Sequence, residues 1–92
     1  MKNVNSVNEL KNLLTEENIK KCRYVEFTIF DNEQNYLSVF MSHFNNPCRK
    51  LVCCDIISDD EIVNNYYEYT LNDLIRRIVT DFEMEELEQF YN

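Results

Sequence analysis

The stretch RYVEFTIFDNEQNYLSVFMSHF, residues 23–44, decides the fold, because two segments with strand periodicity flank a polar loop. In the first segment Val25, Phe27 and Ile29 recur with a period of two, which is typical of a half-buried β-strand. Residues 36–44 alternate in the same way, and residues 31–35 between them favour a turn. The sequence therefore predicts two antiparallel strands joined by a short loop.

A third strand is predicted over residues 49–57, after a break at the Asn-Asn-Pro of residues 45–47. Its apolar residues fall on both faces, with Cys53 on one face and Val52 and Cys54 on the other. A strand with two apolar faces is expected to lie in the interior of the sheet.

Helical spacing of apolar residues precedes these strands. Ser6 and Glu9 have the spacing of a capping box, and apolar residues recur from there to Leu14. An N-terminal amphipathic helix is therefore predicted over residues 7–14. Thr15 is interpreted as the cap of a short helical extension through Lys20, with a turn as the alternative.

The segment after the third strand has two interpretations. Residues 59–69 contain the apolar spacing of a short helix, which is preferred, whereas the tyrosine-rich residues 66–70 favour a strand. A clear apolar stripe predicts a helix over residues 70–79, and a last helix is expected over residues 81–90. The predicted fold is α+β: an N-terminal helix, a three-stranded antiparallel sheet, and two or three C-terminal helices packed on one face.

Composition limits the class of protein. With 92 residues, of which 45% are hydrophobic, we expect a single folded domain over residues 1–92. Glycine is absent, which disfavours phosphate-binding and dinucleotide-binding loops. No apolar run has the length of a membrane span, and the start MKNVNSVNEL lacks the apolar segment of a signal peptide. We therefore expect a cytoplasmic protein that makes no membrane contact.

The four cysteines are expected to be reduced thiols, because the chain shows no export signal. The spacing of His43, Cys48, Cys53 and Cys54 matches no zinc site, and the acidic segments match no calcium loop. We expect no metal, no other cofactor and no catalytic residue. An enzyme that uses one of the last three cysteines with His43 remains an alternative, and it requires a thiol of depressed pKa.

The charge of the chain is unevenly distributed. Residues 55–92 hold eleven acids and two arginines, a net charge of −9, and the remaining residues contribute +1 to the total of −8. In a helix over residues 81–90, Asp81, Glu85 and Glu88 would share one face at intervals of about 6 Å. Phosphates along one DNA strand have a similar spacing, about 7 Å. Such an uncompensated negative field suits a basic partner surface.

The acid-rich segments DDEIVNNYYEYTLNDL (59–74) and DFEMEELEQF (81–90), together with the chain length and predicted element order, resemble small acidic inhibitors encoded by phages and mobile elements. In particular, they resemble anti-CRISPR proteins that occupy the DNA-binding groove of a Cas nuclease. The resemblance implies a non-enzymatic DNA mimic whose acids replace DNA phosphates against a basic groove. The resemblance implies partner binding by the acids of both segments, which are Asp59, Asp60, Glu61, Asp81, Glu83, Glu85, Glu86 and Glu88. We expect three tyrosines beside them to join the contact: Tyr66, Tyr67 and Tyr69.

The expected partner is a basic nucleic-acid-binding protein, either a Cas effector or a nuclease, and not nucleic acid itself. Immunity proteins against nuclease toxins are similar by the same criteria and are kept as an alternative. A second alternative is a small regulatory or assembly subunit that self-associates through tyrosine and phenylalanine side chains. The sequence leaves open whether the protein is a monomer or a homodimer.

Overall fold

The computed structural model describes residues 1–43 and 50–85. Its elements in chain order are β1 (Lys2–Val4), α1 (Val7–Leu13), α2 (Glu16–Cys22), β2 (Tyr24–Ile29), β3 (Asn35–His43), β4 (Lys50–Ser58), β5 (Glu61–Glu68) and α3 (Leu71–Asp81). The strands form one sheet in the order β1-β2-β3-β4-β5. The pair β1 and β2 is parallel, and the other neighbouring pairs are antiparallel, so the sheet is mixed.

The α+β class is confirmed, but the predicted three-stranded antiparallel sheet is wrong, and so is the N-terminal helix as the first element, because β1 precedes α1. The chain begins with β1, whose Val4 is fully buried and pairs with Ile29 of β2. A three-residue strand is too short to show a period of two, so the sequence pattern gave no sign of it. Residues 59–69, for which the sequence favours a helix over a strand, form a turn and the whole of β5. The sheet therefore has five strands.

The C-terminal part of the chain also differs from the prediction. In residues 50–85, α3 follows the sheet, and Met84 and Glu85 are helical again after a turn at residues 82–83. The helix α3 ends at Asp81 with Phe82 as C-cap, and Glu83 has a φ of 52°. The helix predicted over residues 81–90 is therefore wrong as a continuous element, because the turn at residues 82–83 interrupts it, and its residues 86–90 lie outside the described residues. No helix in the described ranges is long and apolar enough to cross a membrane.

Local signals start each helix where the sequence indicates. The side-chain oxygens of Ser6, Thr15 and Thr70 each accept a hydrogen bond from the backbone N–H three residues later, at 3.0, 3.2 and 3.1 Å. Each of these bonds satisfies a backbone donor that the first helical turn leaves without an intrahelical partner. The chain leaves α2 through Arg23, whose φ of 70° is left-handed. The capping predictions at Ser6, Thr15 and Thr70 are confirmed.

The helices cover one face of the sheet. The core takes alternate residues of β2, β3 and β4 from that face, among them Phe27, Val39 and Cys54, and packs them against buried residues of α1, α2 and α3. Cys53 points to the other face, as predicted, and is buried outside this core. On that second face the pairing register places a row of four side chains next to one another: Tyr24, Phe40, Cys53 and Tyr67.

Candidate functional site

The connection between β4 and β5 is a two-residue turn. Ser58 pairs with Glu61, and the residues between them, Asp59 and Asp60, have φ values of 51° and 64°. Two successive left-handed residues in a two-residue hairpin form the type I′ turn, whose twist matches that of the flanking strands. Asp59, Asp60 and Glu61 are all exposed. The turn therefore fixes the backbone from which three carboxylates extend into solvent.

The connection between β2 and β3 is held by side-chain amides. The Asn32 side-chain oxygen accepts hydrogen bonds from the backbone N–H groups of Gln34 and Asn35, at 2.9 and 3.2 Å. The Asp31 N–H donates to the side-chain oxygen of Asn3 on β1, at 2.8 Å. These bonds substitute for the glycine that such a loop commonly contains. They place the exposed side chains of Asp31 and Glu33 at the same end of the sheet as the β4–β5 turn.

The two connections lie side by side, because the first residue of β3, Asn35, pairs with the last residue of β4, Ser58. A shallow depression between them is lined by Glu33, Gln34, Ser58 and Asp59. The acidic sheet end is defined here as the five exposed carboxylates of these connections: Asp31, Glu33, Asp59, Asp60 and Glu61. None of the ion pairs found in residues 1–43 and 50–85 involves any of them. The acidic sheet end therefore carries a local charge of −5 that no described lysine or arginine side chain contacts.

Asp81, a predicted partner-binding residue, has partners within the fold. Its carboxylate lies 3.8 Å from Nε of Arg77, which also pairs with Glu68 at 3.2 Å. Burial raises the pKa of Tyr66, and the neighbouring carboxylate of Asp81 raises that pKa further. Asp81 therefore serves to join α3 to β5.

The other acids of the second segment lie elsewhere. Glu83 and Glu85 are exposed, and Glu85 lines a depression between α1 and α3 that also contains Lys11. Glu86 and Glu88 lie outside the described residues. Within its described residues, 81–85, the second segment therefore has no uncompensated cluster comparable with the acidic sheet end.

The two acidic segments do not meet in the described part of the chain. Asp81 contacts Tyr66, which is five residues along β5 from Glu61, or about 16 Å on an extended strand. No hydrogen bond, ion pair or depression among the described residues joins Asp81, Glu83 or Glu85 to the acidic sheet end.

The three predicted tyrosines have different environments. Tyr66 is 5% exposed, and the guanidinium carbon of Arg77 lies 4.6 Å from the centre of its ring. Tyr66 therefore belongs to the core and cannot act as an anchor for a partner. Tyr67 and Tyr69 are 54% and 68% exposed, so both are available for contact.

The cysteines of β4 do not have the character of nucleophiles. Burial raises the pKa of the Cys54 thiol to about 12, with further contributions from Asp55 and Cys53. Burial and then Asp55 also raise the pKa of Cys53. A thiol nucleophile needs the opposite shift, because the thiolate is the reactive form. Cys48 and the side chain of His43 lie outside the described residues, and no group of potential metal ligands occurs among those described.

Two members of the acidic sheet end, Asp31 and Glu33, were missed at the level of sequence. The signal that identifies them is strand connectivity: in an antiparallel meander, alternate connections fall at the same end of the sheet. Because residues 59–69 were interpreted as a helix, the turn at Asp59 was not recognised as a hairpin connection. Its position beside Glu33 therefore could not be inferred.

Comparisons with protein-family models, with curated proteins and with solved structures found no match for this chain.

Proposed function

We propose that this protein is a non-enzymatic inhibitor that places its acidic sheet end against the basic nucleic-acid-binding site of a partner protein. The observation that carries the proposal is the set of five exposed carboxylates, supplied by two adjacent hairpin connections and free of ion pairs with the described lysines and arginines. Complementary charge speeds the encounter with a basic surface and excludes acidic competitors. The raised pKa values of Cys53 and Cys54 support a function other than thiol catalysis.

The rigidity of the two connections supports the same proposal. The paired residues Ser58 and Glu61 close one connection, and the Asn32 side chain fixes the other. Charges mounted on an ordered backbone lose less conformational entropy on binding than charges on a flexible tail. The four strands from β2 to β5 span about 14 Å, which corresponds to about three phosphates at intervals of about 7 Å. The acidic sheet end therefore has the size of a short segment of DNA backbone.

The resemblance to anti-CRISPR proteins makes a Cas nuclease the first partner to test, and a nuclease toxin the second. The assay is DNA cleavage by a panel of purified Cas nucleases and nuclease toxins, with and without this protein, at low and high salt. We expect inhibition of at least one member of the panel, and we expect it to weaken as salt screens the charges.

A matched pair of variants locates the inhibitory surface. The Glu33→Lys/Glu61→Lys variant reverses two charges of the acidic sheet end, and Glu17→Lys/Glu85→Lys reverses two exposed charges elsewhere. The first should weaken inhibition at least about tenfold, and the second should leave it nearly unchanged. Equal inhibition by both folded variants, or no inhibition of any nuclease by the wild type, would overturn the proposal.

A further inference from the structure

In the described part of the chain, the strand β5 forms one edge of the sheet, with β4 as its only neighbour in the sheet order. Exposed apolar side chains are concentrated on it and on the residue that follows it: of the six large apolar residues that are exposed among those described, four lie in residues 62–69. These four are Ile62, Val63, Tyr67 and Tyr69. The free edge therefore combines open backbone with apolar contact surface.

A backbone hydrogen bond shows which groups of β5 face outward. The N–H of Asn65 donates to the side-chain oxygen of Asn64 at 2.9 Å, and so it does not point toward β4. In an antiparallel strand, alternate residues direct both backbone groups to the same side. The N–H and C=O groups of Asn65 and Tyr67 therefore face the free edge. The side chain of Asn64 occupies the first of these donors.

The edge carries few of the features that prevent strand addition. Natural edge strands are commonly blocked by lysine or proline, and residues 61–68 contain neither. A β-bulge leaves Val63 without a partner on β4, since Ile56 pairs with Asn64 and Ile57 with Ile62. The bulge ends the regular pairing edge there. The segment Asn64–Glu68 remains for an incoming strand.

Charge selects the occupant of this edge. The sequence from Asp55 to Ile75 holds six carboxylates and no lysine or arginine. Two of them, Glu68 and Asp73, pair with arginines of α3, but a second copy of the chain would still bring the same excess of carboxylates against these, so charge disfavours self-pairing. A segment with lysine or arginine would instead meet Glu61 near one end of β5, whereas Glu68 at the other end is already paired with Arg77 at 3.2 Å.

We propose that Asn64–Glu68 accepts an extended, lysine- or arginine-bearing segment of the partner as a sixth strand of the sheet. Main-chain hydrogen bonds to Asn65 and Tyr67 supply binding, and the exposed carboxylates at the turn end of β5, of which Glu61 is the nearest, select a basic sequence. This mode of binding rests on the proposed function, because it gives the basic partner a second contact beside the acidic sheet end.

The test uses a short capped peptide of alternating lysine and valine, its glutamate-for-lysine counterpart, and the full-length protein. Binding is followed by NMR titration and by fluorescence anisotropy. We expect the basic peptide to bind, to shift the backbone resonances of β5, and to bind at least about tenfold more tightly than the acidic peptide.

Three variants separate strand addition from general charge attraction. Asn65→Pro removes one outward N–H at an edge position that tolerates proline, and it should weaken binding about tenfold. Asn65→Ala keeps that N–H and is the matched control, so its affinity should stay near that of the wild type. Asn64→Ala frees the Asn65 N–H from its side-chain acceptor and should strengthen binding.

Absence of peptide binding, equal affinity of folded Asn65→Pro and Asn65→Ala, or resonance shifts confined to residues outside β5 would overturn the strand-addition proposal. The proposed function is tested separately. It fails if the Glu33→Lys/Glu61→Lys variant inhibits a nuclease as strongly as the control variant Glu17→Lys/Glu85→Lys does. Inhibition that depends on Glu33 and Glu61 but is insensitive to Asn65→Pro would retain the function and reject this mode of binding.

Discussion

Aspartate takes the role of glycine at the turn that builds the acidic sheet end. Asp59 and Asp60 are both left-handed, a conformation that costs an ordinary residue on the order of 1 kcal/mol and that Asp tolerates better than most. Asparagine and glycine are the residues that favour a type I′ turn most strongly. The chain therefore carries a carboxylate at two positions where stability alone would favour a different residue. Retaining the acids there is consistent with the proposed use of their charge.

Replacing Asp60 with glycine should stabilise the protein by about 1 kcal/mol, because glycine adopts the φ of 64° without a steric penalty. The measurement is the free energy of unfolding from urea titration. The control is Glu61→Gly, at the adjacent strand position, where glycine should destabilise by about 0.5–1 kcal/mol. Destabilisation by Asp60→Gly would contradict the assignment of the turn.

At the scale of elements, Arg77 joins α3 to the edge of the sheet. Its guanidinium lies over Tyr66 and contacts Glu68 on β5 as well as Asp81 on its own helix. Arg76, one residue earlier, pairs only with Asp73 within α3 among the described residues, at 3.7 Å. Arg77 thus makes a contact between two elements, whereas the adjacent Arg76 makes a contact within one helix.

We expect Arg77→Ala to lower the free energy of unfolding by about 1 kcal/mol, since it removes a cation–π contact and two partly exposed ion pairs. The matched change Arg76→Ala removes a pair that is largely exposed and should alter stability by less than about 0.5 kcal/mol. Chemical denaturation of both variants at one pH and one salt concentration measures the difference. Equal effects would show that Arg77 does not connect the two elements energetically.

At the scale of the whole molecule, the sheet concentrates like charge that is dispersed in the sequence. Asp31 and Glu33 lie more than twenty residues before Asp59, and the pairing of Asn35 with Ser58 brings their connections together. With a net charge of −8, repulsion between these groups opposes the compact state. The stability of the protein should therefore respond to ionic strength.

Raising the salt concentration from low to physiological ionic strength should increase the free energy of unfolding by on the order of 0.5 kcal/mol, because salt screens repulsion between exposed carboxylates. In the Glu33→Lys/Glu61→Lys variant two reversals change the net charge from −8 to −4. The free energy of unfolding of this variant should therefore increase less with salt than that of the wild type. Calorimetry or urea titration at several sodium chloride concentrations gives both slopes, and a wild-type stability that falls with salt would refute this account.

Patterns within one segment predicted much of the local structure. The alternation through Val25 and Phe27 identified β2, and the caps at Ser6, Thr15 and Thr70 placed the starts of α1, α2 and α3. These features depend on residues fewer than five positions apart, and so the sequence contains their signals. The strand β1 had no such signal, because Val4 is a strand residue only through its pairing with Ile29.

The sequence by itself determined the α+β class, the hairpin of β2 and β3, the helix starts and the excess of negative charge. The tertiary structure decided that residues 61–68 form an edge strand, because their burial and pairing depend on β4 and α3 as much as on their own apolar spacing. It also decided which acids are available to a partner: Asp81 is held by Arg77, whereas Asp31 and Glu33 join Asp59. The amino-acid composition sets how many carboxylates the chain carries, but strand pairing decides which of them share a surface.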